Sequence, residues 1–198
     1  MGLKKIGIFG GSFDPVHNGH IEIGLLAIEQ LDLDILLYVP VFDQWMKKSG
    51  PYAKPKDRME MLEVATEKYS NLLVSDLDIK RRKRTYTIDT LKEVIAENSS
   101  ISEIFLIMGE DSLITFGSWH KSEEIKKICR IAMYRRNEEK NLIGKQNSIK
   151  ILEIKGPSIE ISSTMIRRNI SLGKKISEFV NPKVINIIKK KGLYNSND

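Results

Sequence analysis

Two histidines three positions apart, directly after a pair of glycines, are the residues of this chain best placed to do chemistry. They stand in the run Gly10-Gly11-Ser12-Phe13-Asp14-Pro15-Val16-His17-Asn18-Gly19-His20. Gly10 and Gly11 follow an apolar run, Lys5 to Phe9, and let backbone approach a ligand with no Cβ in the way. A helical pattern starts near Asn18, and the free amides and dipole of a helix start favour an anion. Spaced by three at that start, the rings of His17 and His20 face one side. Gly19 between them is read as room for a base or sugar to lie against the backbone. The reading that fits best is two imidazoles donating hydrogen bonds to a polyphosphate. Metal ligation, with Asp14 as the lone carboxylate, and plain capping are the alternatives. The run lacks the Gly-Lys-Ser/Thr of a Walker loop and the three-glycine spacing of a dinucleotide fingerprint.

The elements that must position this loop alternate in kind. Strand candidates are Lys5 to Phe9, Ile35 to Val39, Leu72 to Ser75, Ile104 to Met108, Arg130 to Tyr134 and Ile149 to Ile154. Between them, Asn18 to Leu31 aligns Ile21, Leu25 and Ile28 on one helical face. Lys56 to Lys68 does the same with Met59, Leu62 and Ala65, and Thr87 to Glu97 with Ile88, Leu91 and Ile95. This alternation predicts an α/β fold with a doubly wound, mainly parallel sheet. Ligands then bind beyond the carboxyl ends of the strands, so the loops after Phe9, Val39, Ser75, Met108 and Tyr134 are the ones to search. Ile161 to Leu172 and Pro182 to Lys191 read as two helices without a strand between them. They are expected to form a small C-terminal helical cap, from about residue 160, on a single domain spanning 1–198.

Composition bounds the function. The chain has 198 residues, 41% hydrophobic and 29% charged, ordinary for one globular core. Its apolar stretches fall well short of the roughly 20 residues that span a bilayer. The first ten residues carry no signal-peptide core, so a cytoplasmic protein is expected. Cys129 is the one cysteine, excluding an internal disulfide; flanked by Ile128 and Ile131, it is expected in a strand as a buried small hydrophobe. A net charge of +6 suits nucleic acid or a small polyanion. The basic runs Lys80 to Arg84 and Lys189 to Lys191 lack interleaved aromatics, which favours the small polyanion.

Three later segments carry polar groups suited to the same ligand. Ile161-Ser162-Ser163-Thr164 precedes a helix, so a hydroxyl can cap it while amides and Arg167 meet phosphate oxygens. Asp111 follows a strand end and Gly109, where a carboxylate can accept both hydroxyls of a ribose. Tyr86 and Thr87 open the third helix, and Trp119 on composition alone suits the core.

Gly10 through His20 resembles the signature of the nucleotidylyltransferase superfamily with the H-x-G-H motif. Within it the chain is similar, over almost its whole length, to the bacterial nicotinate-nucleotide adenylyltransferases. Tyr86-Thr87-Ile88-Asp89-Thr90-Leu91 resembles their Y-T-x-D-T-L segment, and Gly109-Glu110-Asp111 with Trp119 their G-x-D and tryptophan elements. Ile161 through Arg167 resembles I-S-S-T-x-I-R, and Gly192-Leu193-Tyr194 the common ending. The resemblance implies a Rossmann-like nucleotidyltransferase fold and transfer of AMP from ATP to nicotinate mononucleotide, giving deamido-NAD and pyrophosphate. It implies His17 and His20 at the α- and β-phosphates, and ATP held by Gly10, Gly11, Ser12, Phe13, Gly19, Gly109, Asp111, Ser162, Ser163 and Arg167. It further implies that Trp119 stacks on the pyridine, with backbone amides near Thr87 and His120 holding its carboxylate and Tyr86 beside them. Mg²⁺ is expected to arrive with ATP, held mostly by its phosphates and water rather than by protein ligands. Where the family shows P-P-H-K, this chain reads Gln44-Trp45-Met46-Lys47; Lys47, or Lys48, is expected near a phosphate, and Trp45 plugs the loop or adds a stacking surface. Nicotinamide mononucleotide and phosphopantetheine are alternative acceptors; a regulator that binds ATP without turnover and an RNA-binding module are the other classes. A homo-oligomer is allowed for; no membrane and no nucleic-acid partner is expected.

Overall fold

The computed structural model describes residues 4–42, 50–97, 100–135 and 150–195. The described strands are β1 (Lys4–Gly11), β2 (Ile35–Pro40), β3 (Leu72–Val74), β4 (Ile101–Gly109), β5 (Arg130–Tyr134) and β6 (Ile151–Ile154). They form one six-stranded sheet in the order β3-β2-β1-β4-β5-β6, and every neighbouring pair is parallel. The helices are α1 (Asn18–Leu31), α2 (Pro55–Thr66), α3 (Leu77–Arg81), α4 (Thr87–Glu97), α5 (Glu110–Thr115), α6 (Ser122–Ile128), α7 (Ser163–Ser171) and α8 (Pro182–Lys191), with a 3-10 turn at Phe116–Ser118.

Strand alternation sorts the core into two layers. Phe9, Phe105 and Ile107 point to one face, where they pack with residues of α1, α2, α7 and α8; Ile6, Ile8, Ile104, Leu106 and Met108 point to the other, toward α4, α5 and α6. The chain runs from β1 outward to β3, then returns to β4 on the other side of β1. The loops after β1 and β4 therefore diverge at the sheet centre, the crevice where such folds bind ligands. Ile166 of α7 and Val184 and Ile188 of α8 belong to the same cluster as Phe9, so the helical cap shares the core of the sheet.

Helix ends fall close to expectation, but the inward stripes differ. The buried residues of α1 are Gly19, Ile23, Gly24 and Ala27, with Ile21, Leu25 and Ile28 only partly covered. Small residues face the sheet here because Tyr38 stands against the helix: a Cβ on Gly24 would sit 2.1 Å from its hydroxyl oxygen. In α2 the stripe is Arg58, Met61, Leu62 and Ala65 rather than one through Met59. Ile95 of α4 is 41% exposed, and Val94 takes the inward position. Cys129 lies at the C-terminal end of α6, not in a strand, with its Sγ–H donated to the Ile125 carbonyl at 3.3 Å. Ile149, at the expected start of β6, lies outside the described residues. No helix among the described residues is long and apolar enough to cross a membrane.

Candidate active site

The histidine pair is built by the start of α1. His17 is the N-cap in extended conformation, and its backbone N–H donates to Nδ1 of His20 at 3.3 Å. The imidazoles stack at 3.7 Å between centroids and 26° between planes. Since Nδ1 of His20 accepts from the backbone, a neutral His20 ring carries its proton on Nε2. Behind the pair, Phe13 in the left-handed region (φ 49°) places its ring 5.0 Å from His20 and 5.7 Å from Phe9. A Cβ on Gly11 would press on that ring at 3.0 Å, whereas none lies within 4 Å of a Cβ on Gly10, whose surface is open to a ligand. Gly19 has a different reason from the one expected. A Cβ there would meet Cγ2 of Ile159 at 2.5 Å and the His17 ring at 3.2 Å, so the space is filled by the chain itself.

One cleft of about 1580 Å³ gathers Gly10, Ser12, Phe13, His17, His20, Gly109, Asp111, Ser162, Ser163 and Arg167. These come from the end of β1 with the loop and α1 start that follow it, from the end of β4 with the start of α5, and from α7. The last of these is fixed to the first loop by two carbonyls: the Ser163 hydroxyl donates to Pro15 O at 2.9 Å and Arg167 Nη1 to Asp14 O at 2.7 Å. Ser162 caps α7, accepting from the Met165 amide at 3.2 Å. Both serine hydroxyls thus serve the scaffold, leaving the helix-start amides and the guanidinium as the groups suited to phosphate. The guanidinium also lies 4.5 Å over the Tyr52 ring.

Asp14 is not poised as a metal ligand. It is buried, and its carboxylate accepts from the Tyr52 amide (2.6 Å), the Ala53 amide (3.0 Å) and the Tyr194 hydroxyl (2.7 Å). Beside it Arg58, 0% exposed, donates to the carbonyls of Ser12 (2.8 Å), Val41 (2.7 Å) and Ala53 (3.2 Å). Burial pushes the Arg58 pKa down, and the nearby Asp14 charge opposes this. Together these groups tie the first loop, the segment before α2 and the C-terminal turn into one support. Tyr52, Arg58 and Ile159 carry no expectation from the sequence, and Tyr194, noted there only as part of the common ending, gains its role here through Asp14. The available signal for Arg58 was its place in an i, i+3, i+4, i+7 stripe otherwise made of Met61, Leu62 and Ala65.

A second pocket of about 810 Å³ adjoins the cleft and shares Phe9, Gly10, Gly109 and Ser112 with it. Gly11, Thr87 and Trp119 line it, together with Asp78, Thr85 and Thr90. Trp119 is half-buried rather than core; its indole N–H donates to Thr115 Oγ1 at 3.3 Å and its ring lies 5.5 Å from Phe116. Tyr86 and His120 pack together at 4.4 Å between ring centroids, next to the lining residues Thr87 and Trp119. Lys47, with Gln44, Trp45, Met46 and Lys48, lies outside the described residues.

The basic run Lys80 to Arg84 is divided. Lys80 pairs with Asp76, while Arg81 turns inward to Asp78 and Glu93, leaving Arg82, Lys83 and Arg84 exposed. Among the described residues no group of three or more His, Cys, Asp or Glu side chains could hold a metal ion.

A parallel sheet whose central loops present an H-x-G-H helix start, a glycine-aspartate turn and a serine-capped arginine helix defines a nucleotidyltransferase. The sequence profile of the cytidylyltransferase-like family matches residues 8–169, and the chain belongs to that family. Over 97% of its length it is 33% identical to a probable nicotinate-nucleotide adenylyltransferase of Neisseria meningitidis, 99% of which is covered. A protein of the same description from Clostridium acetobutylicum is 34% identical over 97% of this chain and 100% of its own. Among solved structures, the Plasmodium falciparum nicotinic acid mononucleotide adenylyltransferase complexed with NaAD superposes with a TM-score of 0.81 at 23% identity, covering 98% of each chain. A putative nicotinate-nucleotide adenylyltransferase from Vibrio parahaemolyticus gives a TM-score of 0.71 at 23% identity, covering 98% of each chain. At that identity the structural likeness speaks for the fold.

Proposed function

We propose that this chain transfers the adenylyl group of ATP to nicotinate mononucleotide, releasing pyrophosphate and forming the dinucleotide of NAD biosynthesis. The observation that carries this reading is the junction of two pockets at Gly10 and Gly109. One is lined by phosphate-suited groups and the other by an aromatic and hydroxyls, and they meet where two nucleotides would have to be joined.

In this reading the acceptor's phosphate attacks the α-phosphorus of ATP in line. The attacking oxygen is already anionic, so the protein supplies position and charge stabilisation rather than a base. Nε2–H of His20 donates to an α-phosphate oxygen, and His17, stacked on it, fixes its plane. Arg167 and the amides at the start of α7 take the β- and γ-phosphates, and Asp111 the ribose. Trp119 stacks on the pyridine and Thr87, with Tyr86 and His120 behind it, holds the pyridine carboxylate. Nucleotidyltransferases of this kind use a divalent metal with ATP. Asp14 is occupied by three protein donors, so the donor set fits Mg²⁺ carried on the phosphates and water, where it neutralises charge.

The test is pyrophosphate release with ATP and Mg²⁺, comparing nicotinate mononucleotide, nicotinamide mononucleotide and phosphopantetheine. A preference of about a hundredfold for the nicotinate form, equivalent to ~2.7 kcal/mol, is expected. Preference for another acceptor would reassign the second pocket, and silence with all three would leave a nucleotide-binding protein.

A further inference from the structure

Tyr52 lines the same cleft as Arg167, Ser162 and Asp111, yet core packing does not explain its ring. The residue is 55% exposed and joins neither layer of the core. Its backbone is nevertheless fixed. The Tyr52 amide donates to Oδ2 of Asp14 at 2.6 Å, and the next amide, that of Ala53, donates to Oδ1 at 3.0 Å. The backbone carbonyl of the same Asp14 accepts from Arg167 Nη1 at 2.7 Å. One residue therefore anchors both partners, its carboxylate the tyrosine and its carbonyl the arginine. The guanidinium carbon then stands 4.5 Å from the centre of the Tyr52 ring.

A guanidinium points its five N–H groups outward in its own plane, so an aromatic ring against its face takes none of them. Asp14 O and Thr164 Oγ1 each accept one, from Nη1 and Nη2. The cation–π contact adds a third restraint on the plane and leaves the remaining N–H groups to phosphate oxygens. We propose that Tyr52 is a positioning residue of the adenylyl transfer. Its ring holds the guanidinium of Arg167 in the orientation that grips the β- and γ-phosphates, and so the departing pyrophosphate. The proposal rests on the functional reading above for the place of the triphosphate, and is independent of which acceptor is used.

Pyrophosphate separates this role from others, because it carries the phosphates without the base. In the reverse reaction, with pyrophosphate, Mg²⁺ and deamido-NAD, Tyr52→Leu is expected to raise the KM for pyrophosphate about fivefold, the scale of one exposed cation–π contact. The KM for deamido-NAD and kcat should stay within about twofold of wild type. Tyr52→Phe restores the ring and should bring pyrophosphate back to within about twofold. In calorimetric titration with ATP and Mg²⁺, Tyr52→Leu should weaken binding about fivefold when Arg167 is present. Beside Arg167→Ala it should weaken binding less than about twofold, since the ring acts through the guanidinium. A rise in the KM for deamido-NAD without one for pyrophosphate would make Tyr52 a stacking surface for the base and overturn the proposal. So would a rise shared by both ligands, equal weakening with and without Arg167, or a Phe variant as impaired as the Leu one. A Leu variant that matches wild type, or one that fails to fold, would overturn it too. Failure of the functional reading is a separate result: wild-type protein releasing no pyrophosphate from ATP with nicotinate mononucleotide, in which case the ATP titration still tests Tyr52.

Discussion

The backbone amide of His17 donates to Nδ1 of His20, and the two imidazoles stack 3.7 Å apart. One hydrogen bond thereby fixes how the His20 ring is set at the cleft wall, and in the proposed mechanism that ring is the donor to the α-phosphate. Replacing His20 with Ala removes that donor and is expected to lower turnover on the order of 10²–10³-fold. The KM for ATP should change far less, because the proposed mechanism has the triphosphate held at α7 as well. Steady-state pyrophosphate release reads both quantities. A variant within a few-fold of wild type would remove His20 from the chemistry.

Gly19, between those histidines, is required by packing. An added methyl would stand 2.5 Å from Cγ2 of Ile159 and 3.2 Å from the His17 ring. Gly19→Ala is expected to cost about 1–3 kcal/mol, as overpacked positions do, and to impair turnover by tilting His17. Removing the obstacle should undo much of the damage: Gly19→Ala with Ile159→Ala should be less impaired than the two single losses added together. Urea denaturation of the four proteins in this cycle measures the coupling, and strict additivity would refute the contact as the reason for the glycine.

How far the sequence discloses this site depends on whether a residue's task is local or distant. The glycine pair, His17 and His20 are legible as a group because strand, turn and helix start are contiguous, and their placement follows from short-range geometry. The doubly wound sheet is legible for a similar reason: β1, β2, β4 and β5 are buried on both faces and read as continuous apolar runs. Asp14 was visible but its partners were not. Tyr52, Ala53 and Tyr194 reach it across 38, 39 and 180 positions of chain, and no periodicity encodes such contacts. Arg58 hid for the opposite reason, since a charged residue within an inward stripe makes the stripe look shifted. Cys129 shows how boundaries fail: a short apolar run fits a strand or a helix end equally well, and the Ile125 carbonyl settles it.

Burial pushes the Cys129 thiol up to about 12. Native protein is therefore expected to resist iodoacetamide at pH 8 and to react once unfolded, because the thiolate is the nucleophile. The same shift affects stability. In the unfolded chain the thiol loses its proton near pH 9, while in the folded chain it keeps it, so folding stability falls as pH rises from about 9 toward 12. The slope is at most about 1.4 kcal/mol per pH unit. Tyr38 and Tyr194, also pushed up by burial, add losses of the same sign above pH 10. Between pH 9 and 10 the decline belongs mainly to Cys129, and Cys129→Ala should flatten it in denaturation curves. An unchanged slope would place the alkaline sensitivity elsewhere.

Arg58 offers the sharpest separation of support from chemistry. Its guanidinium is fully enclosed and satisfies the carbonyls of Ser12, Val41 and Ala53 while facing the Asp14 charge. Arg58→Met would match the aliphatic stem but leave three carbonyls without this donor and Asp14 without its nearby cation. Breaking a buried charged contact on one side costs about 3–5 kcal/mol, enough to consume a large share of a domain's stability. Arg58→Lys should recover only part, since an ammonium cannot span three carbonyls set in different directions. The expected order in urea midpoint is wild type, then Lys, then Met. Folded Arg58→Met at low temperature should show a raised KM for ATP, because Ser12 and the Asp14 carbonyl that anchors Arg167 shift together. A Met variant as stable as wild type would mean that water replaces the guanidinium, and that the loop at Ser12 is held by β1 and α1 alone.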